Sequence, residues 1–121
     1  MEPGELTERV RFQRIDETVG AGASVTETAV TLAEVWARVV PISGRERSQA
    51  QQIEDVAKYR VTIRRRRDVL GADRLLWRTS VEPEHWEPMA ITFDGLNPTI
   101  DDFMTLDAER GRAVPGGDPN V

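Results

Sequence analysis

Few side chains in this sequence could do chemistry, and each group of them is incomplete. His85 is the only histidine, and Glu82, Glu84 and Glu87 surround it. One imidazole among carboxylates begins a metal site, but a zinc site also wants a second nitrogen or a sulfur ligand. No histidine lies one helical turn away, and there is no cysteine, so thiolate ligands, thiol catalysis and disulfides are all excluded. An exposed turn accounts for the cluster. Asp94, Asp101 and Asp102 lack the spacing of a calcium loop and also read as a solvated turn. A lone histidine leaves no Ser–His–Asp set, and neither a nucleophile elbow nor a phosphate-binding loop is present. Gly20-Ala21-Gly22 resembles the start of a dinucleotide fingerprint. However, Val25 stands where a third glycine is needed, and a strand pattern follows instead of a helix. These residues predict a protein that is not an enzyme and has no cofactor and no metal.

Binding is the chemistry left. Arg64, Arg65, Arg66 and Arg67 form an unbroken basic run that could meet phosphate. Strand alternation would send them to opposite faces, and 21 acidic residues are available to pair with them, so a subunit interface or a solvated turn is the simpler expectation. Net charge is −5 and Lys58 is the only lysine, so the chain as a whole does not attract nucleic acid. Arginine's planar fork suits interfaces with carboxylates. Among Trp36, Trp77 and Trp86 the default is core packing, with Trp36 the choice for a subunit interface, where tryptophan is enriched.

Short strands must position these groups. Glu8–Ile15 alternates, with Val10 and Phe12 on one face and Leu6 in phase before them. Asp16–Ser24 reads as a flexible loop, part of a projecting stretch over 16–25. Val25–Val40 is rich in β-formers, and its apolar phase switches near Ala33–Glu34, which predicts a β-bulge or two successive strands. Trp36 and Val40 then face opposite to Val35 and Val39, a pattern fitting a strand covered on both sides. Pro41 ends it. Ser43-Gly44-Arg45-Glu46 is a capping box and predicts a helix over about Gly44–Glu54. Ala50 and Ile53 are its only apolar residues, so it has little drive to dock on its own core. Lys58–Arg64, Arg74–Arg78, Trp86–Phe93 and Phe103–Leu106 complete six short strands separated by Gly, Pro and Asp turns.

The expectation is therefore an all-β chain: one domain over residues 1–108, a small six-stranded β-barrel, with one short polar helix or extended loop (segment 42–56) between the second and third strands. From Glu109 onward the chain has Gly and Pro but no core and reads as a flexible tail. At 121 residues and 39% hydrophobic content a real core is possible. No apolar run approaches a membrane span. The opening Met1–Glu5 is acidic and unlike a signal peptide, so the expected place of synthesis is the cytoplasm.

The order of these features resembles the phage head–tail joining family, the head-closure or stopper proteins of long-tailed phages and related gene transfer agents. The likeness runs over about Gly4 to Glu109. Gly4–Arg14 (G-E-L-T-E-R-V-R-F-Q-R) matches an opening of the form G-x-L-x-x-R-V-x-I-Q-R. Val35–Glu46 (V-W-A-R-V-V-P-I-S-G-R-E) matches V-W-A-x-V-x-P-x-S-G-x-E and is the most specific piece. Ala50 and Gln52 fit A-x-Q, and Tyr59–Arg64 fits the next strand. Arg74–Arg78 and Trp86–Ile91 match more loosely. Asp94–Asp102 and the residues after Glu109 have no counterpart.

The resemblance implies a small β-barrel in a homo-oligomeric ring of six or twelve copies. The ring would sit below the adaptor and portal proteins and above the tail terminator or tail tube, closing the channel on packaged double-stranded DNA and docking the tail. It would be a virion component of the head–tail connector, assembled in the host cytoplasm, with no membrane partner. In such a ring Ile42–Asp55 would be the channel segment. Ser43, Gly44 and Glu46 would set its start, and Arg45, Arg47, Gln49, Gln51 and Gln52 would face DNA phosphate or a neighbouring copy. Two alternatives stand beside this reading. One is a small oligonucleotide-binding-type barrel, with Tyr59 between Lys58 and Arg60 as a stacking position. The other is a tail-completion protein of the same connector.

Overall fold

The computed structural model describes residues 3–42, 57–93, 102–110 and 114–120. Six strands, β1 (Glu8–Val19), β2 (Val25–Pro41), β3 (Ala57–Arg64), β4 (Arg74–Val81), β5 (Glu84–Thr92) and β6 (Phe103–Arg110), close into an antiparallel barrel in the order β1-β2-β3-β6-β5-β4. The expected all-β six-stranded barrel is what forms. The predicted helix over Gly44–Glu54 lies outside the described residues.

Alternation decides which side chains face in. Val10, Phe12, Ala37, Val61, Ile63, Leu75, Met89, Leu106 and Ala108 fill the interior, so the barrel is packed and carries no channel of its own. The 3-10 turn Asp68–Gly71 crosses one end and inserts Val69, fully buried, into the core. The other end is lined by Tyr59 and Trp77, whose rings tilt together at 5.2 Å. At that end β2 gives way to segment 42–56 and β3 returns from it. Pro41 pairs with Tyr59, and the Ile42 amide donates to the Lys58 carbonyl at 3.0 Å.

The phase switch in β2 is a bulge. Phe12 pairs with Ala33 and Gln13 with Thr31, which leaves Leu32 as the extra residue. Beyond it the first hairpin is longer than the sequence suggests. Strand pairing continues through Asp16–Thr28 and Glu17–Glu27 to Val19–Val25, so the loop expected over 16–25 shrinks to Gly20–Ser24. Polar Asp, Glu and Thr conceal this part of β1 and β2, because a two-stranded ribbon standing clear of the core needs no apolar face.

The end of the chain differs most from expectation. Glu109 and Arg110 belong to β6, and residues 114–120 strap across the outer face of β1, β4 and β5 instead of trailing away. Beneath the strap lies Arg74, only 2% exposed. Its guanidinium donates to Gln13 Oε1 at 2.9 Å and to the carbonyls of Pro115 and Gly117 at 2.9 and 2.8 Å. Further along, Asn120 accepts from the Trp86 amide at 2.7 Å and donates to the Trp86 carbonyl at 2.9 Å. Burial pushes the Arg74 pKa down, and the nearby charge of Glu27 partly offsets this.

Gly116 lets the strap lie this close. Its φ is +97°, and a Cβ there would meet Ile15 Cδ1 at 2.5 Å and Arg74 Nη1 at 2.8 Å. Gly116→Ala is expected to release the strap and cost about 1–3 kcal/mol, a loss capped by the strap's own docking energy. Faster exchange of the Trp86 amide, which donates to Asn120, with the barrel core still protected, would show it. Protection unchanged at the Trp86 amide would contradict the role given to Gly116.

Candidate functional site

The outer surface of the barrel divides into two unlike parts. Along β3, β6 and β5 the charges pair across strands. Lys58 lies 3.5 Å from Glu109, Arg60 3.5 Å from Asp107, and Arg110 3.4 Å from Glu87. His85 also reaches Glu87, at 3.4 Å. The described residues hold no cluster of three or more His, Asp or Glu arranged to grip a metal ion. This face pairs most of its own charges, although Asp107 Oδ1 is buried without a hydrogen-bond partner among the described residues.

The other part, over β1, β2 and the end of β3, holds an open hollow of about 270 Å³ lined by Leu6, Arg9, Glu34, Val35, Trp36, Arg64 and Arg66. Three of the five interface residues picked from the sequence, Trp36, Arg64 and Arg66, thus line one hollow. Strand alternation turns Trp36 outward while Val35 and Ala37 face the core, and its indole remains 51% exposed. Arg9, its cross-strand partner, lays its guanidinium 4.9 Å from the ring centre, a cation–π contact that orients both. An exposed tryptophan beside arginines is the composition of an interface hot spot.

Glu34 holds the floor of this site. It accepts from Arg9 Nε at 3.0 Å and from Arg11 at 3.0 and 2.8 Å. Hydrogen bonding from Arg11, and then from Arg9, keeps its carboxyl below the ordinary carboxylate range despite partial burial. A depressed folded-state pKa gives stability that is present above the unfolded pKa and fades as pH falls through the folded one. Glu34→Gln is therefore expected to lose up to about 1 kcal/mol at neutral pH. It should also lose less than the parent between about pH 5 and pH 3. Urea midpoints at the two pH values measure this, and parallel pH profiles would contradict it.

The four consecutive arginines do not act alike. Arg64 sits 5.9 Å from the Phe103 ring. Arg66 pairs with Asp68 through 2.6 and 2.7 Å bonds, which lower the Asp68 pKa. Among the described residues, Arg65 and Arg67 have no carboxylate partner. The other tryptophans are less free. Trp86 is 4% exposed, with Arg11 4.3 Å over its ring. Trp77 packs against the core and donates to Glu8 at 3.0 Å. Tyr59, flanked by Lys58 and Arg60, turns inward onto Trp77, so it gives no stacking platform for bases. The channel segment picked from the sequence, Ser43, Gly44, Arg45, Glu46, Arg47, Gln49, Gln51 and Gln52, lies outside the described residues, although both of its anchor points are held at one barrel end.

Sequence reasoning missed the first hairpin's exposed tip, with Val19 71% and Val25 60% exposed. It also missed the covered outer patch of Arg74, Leu76 and Trp86. The adjacent pair Leu75-Leu76 was the available signal for that patch, since two neighbouring buried leucines in a strand require cover on both faces.

A family model described as phage head completion protein matches residues 1–82. No curated protein matches the chain. Among solved structures, the chain is similar to protein SF1141 from Shigella flexneri 2a, a solution structure, at 21% identity and a TM-score of 0.62, covering 92% of this chain and 97% of that one. At that identity the likeness speaks for the fold.

Proposed function

The chain belongs to the phage head completion protein family, structural components of the virion, and on that premise we propose that it forms a closed ring in the head–tail connector. The ring sits below the portal and adaptor, shuts the channel on packaged DNA and presents the tail's docking surface. The observation that carries this reading is the family match across the two strands and the segment that hold the most specific motifs, residues 35–64. The packed interior supports it too. A barrel filled by Phe12, Leu75 and Met89 passes nothing through itself, so a DNA channel must lie between copies. Ring symmetry then requires heterologous contacts, in which two different surfaces of each copy meet, and the exposed Trp36 hollow is one such surface. Ser43 to Gln52 supplies the element facing the channel, from the barrel end where Pro41 and Tyr59 pair.

The test is complementation. Filled heads assembled without this chain should lose DNA and fail to take tails, and adding the purified protein should restore both. Heads that keep their DNA and join tails without it would overturn the proposal.

A further inference from the structure

We propose that the tip of the β1–β2 hairpin of one copy docks in the Trp36 hollow of the next. The inference deepens the ring reading and rests on it. On the outer face of the ribbon, Glu17 is directly opposite Glu27, and Val19 is directly opposite Val25. Like charges placed across from each other destabilise a strand pair, and neither glutamate has an ion-pair partner among the described residues. The two valines beyond them are among the most exposed large apolar side chains of the chain. So the tip carries an apolar end backed by two negative charges outside any salt bridge among the described residues, of which Glu27 also feels the Arg74 guanidinium.

The hollow is the complement. Leu6 and Trp36 are its apolar lining, and Arg9, Arg64 and Arg66 outnumber the one carboxylate in it, Glu34. Arg9 is held by Glu34 and Arg66 by Asp68, and Arg64 makes no salt bridge among the described residues. Arg65 and Arg67, without carboxylate partners among the described residues, stand close in sequence. The tip cannot serve its own hollow. Val19 lies ten residues along β1 from Arg9, about 33 Å in an extended strand, and the two strands stay paired over that length with one bulge at Leu32. The occupant is therefore a second copy of this chain. A tip and a hollow at different places on each copy make a heterologous contact, the kind that closes a ring.

Charge reversal tests the pairing. Glu17→Arg with Glu27→Arg, or Arg64→Glu with Arg66→Glu, should each raise the concentration for half-assembly by about 100-fold, roughly tenfold per reversed contact. The melting temperature of the unassembled chain should fall only modestly, through loss of the exposed Arg66–Asp68 pair in one variant and of the Glu27 charge near Arg74 in the other. Mixing the two variants should restore assembly, because each tip then meets an opposite hollow and the copies alternate around an even-numbered ring. Native mass spectrometry reads all three samples. Rings that form unchanged in either variant, or a mixture that fails to recover, would overturn this contact and leave the ring reading intact. A parent protein that never self-associates, even with its connector, would overturn both. A two-fold dimer that responds to the same reversals would keep the contact and overturn the ring.

Discussion

Replacing Arg74 with methionine is expected to destabilise the barrel by about 2–4 kcal/mol. Two effects oppose each other at this position. Burying a guanidinium without a carboxylate partner is costly, and exchanging a buried charge for a similarly sized apolar side chain is sometimes neutral or even stabilising. Here the acceptors decide the sign. Methionine would leave Gln13 Oε1 and the carbonyls of Pro115 and Gly117 without their donor, and each buried acceptor left unpaired costs about 1–3 kcal/mol. Undocking limits the loss, because a freed strap lets water reach its carbonyls. The expected signature is therefore a lower urea midpoint together with loss of protection at the Trp86 amide, which donates to Asn120 of the strap. Arg74→Lys keeps the charge but not the fork that reaches three acceptors, and should recover part of the loss. A methionine variant as stable as the parent, with the strap still protected, would show that the strap is held by something else.

The second large effect is functional. Shortening Gly44–Glu54 to a few glycine and serine residues should leave the barrel folded while filled heads lose their DNA. The barrel core draws on all six strands and Val69, and the described residues at the segment's two ends are joined directly by the Pro41–Tyr59 pairing and the Ile42–Lys58 hydrogen bond. A shorter connection also costs slightly less chain entropy. Melting temperature and ring assembly should therefore stay close to the parent's while DNA retention collapses. Unchanged retention in particles that contain the variant would reject gating by this segment, and the ring would still stand.

Much of the barrel was legible because its strands are half-buried. Val10 and Phe12 in β1, or Tyr59, Val61 and Ile63 in β3, repeat every second residue, as a strand with one packed face must. The bulge was legible for the same reason, since an extra Leu32 shifts the apolar phase. Trp36 could be singled out because it breaks that phase. The strap left no such trace. Pro115, Gly117 and Asn120 bind through carbonyl oxygens and one side-chain amide, and backbone acceptors do not vary with sequence. Its only correlates were polar Gln13 and Arg74, which looked like outward-facing residues and are in fact covered. The ribbon tip was hidden for another reason. Its pairing is held by main-chain bonds between Glu, Thr and Val residues whose side chains all meet solvent, so nothing in their composition separates a strand from a loop. The hollow joins β1, β2 and the end of β3, and only the closed topology brings Arg9, Trp36 and Arg66 to one place.

The central claim is that this chain closes a ring in the connector. Imaging of filled heads, with the six-stranded barrel fitted into the averaged connector density, tests it most directly. A closed ring of six or twelve barrels is expected on the channel axis, with the Pro41–Tyr59 end of each barrel directed at the DNA. A connector without this barrel, or one with barrels that make no cyclic contact with one another, would contradict it.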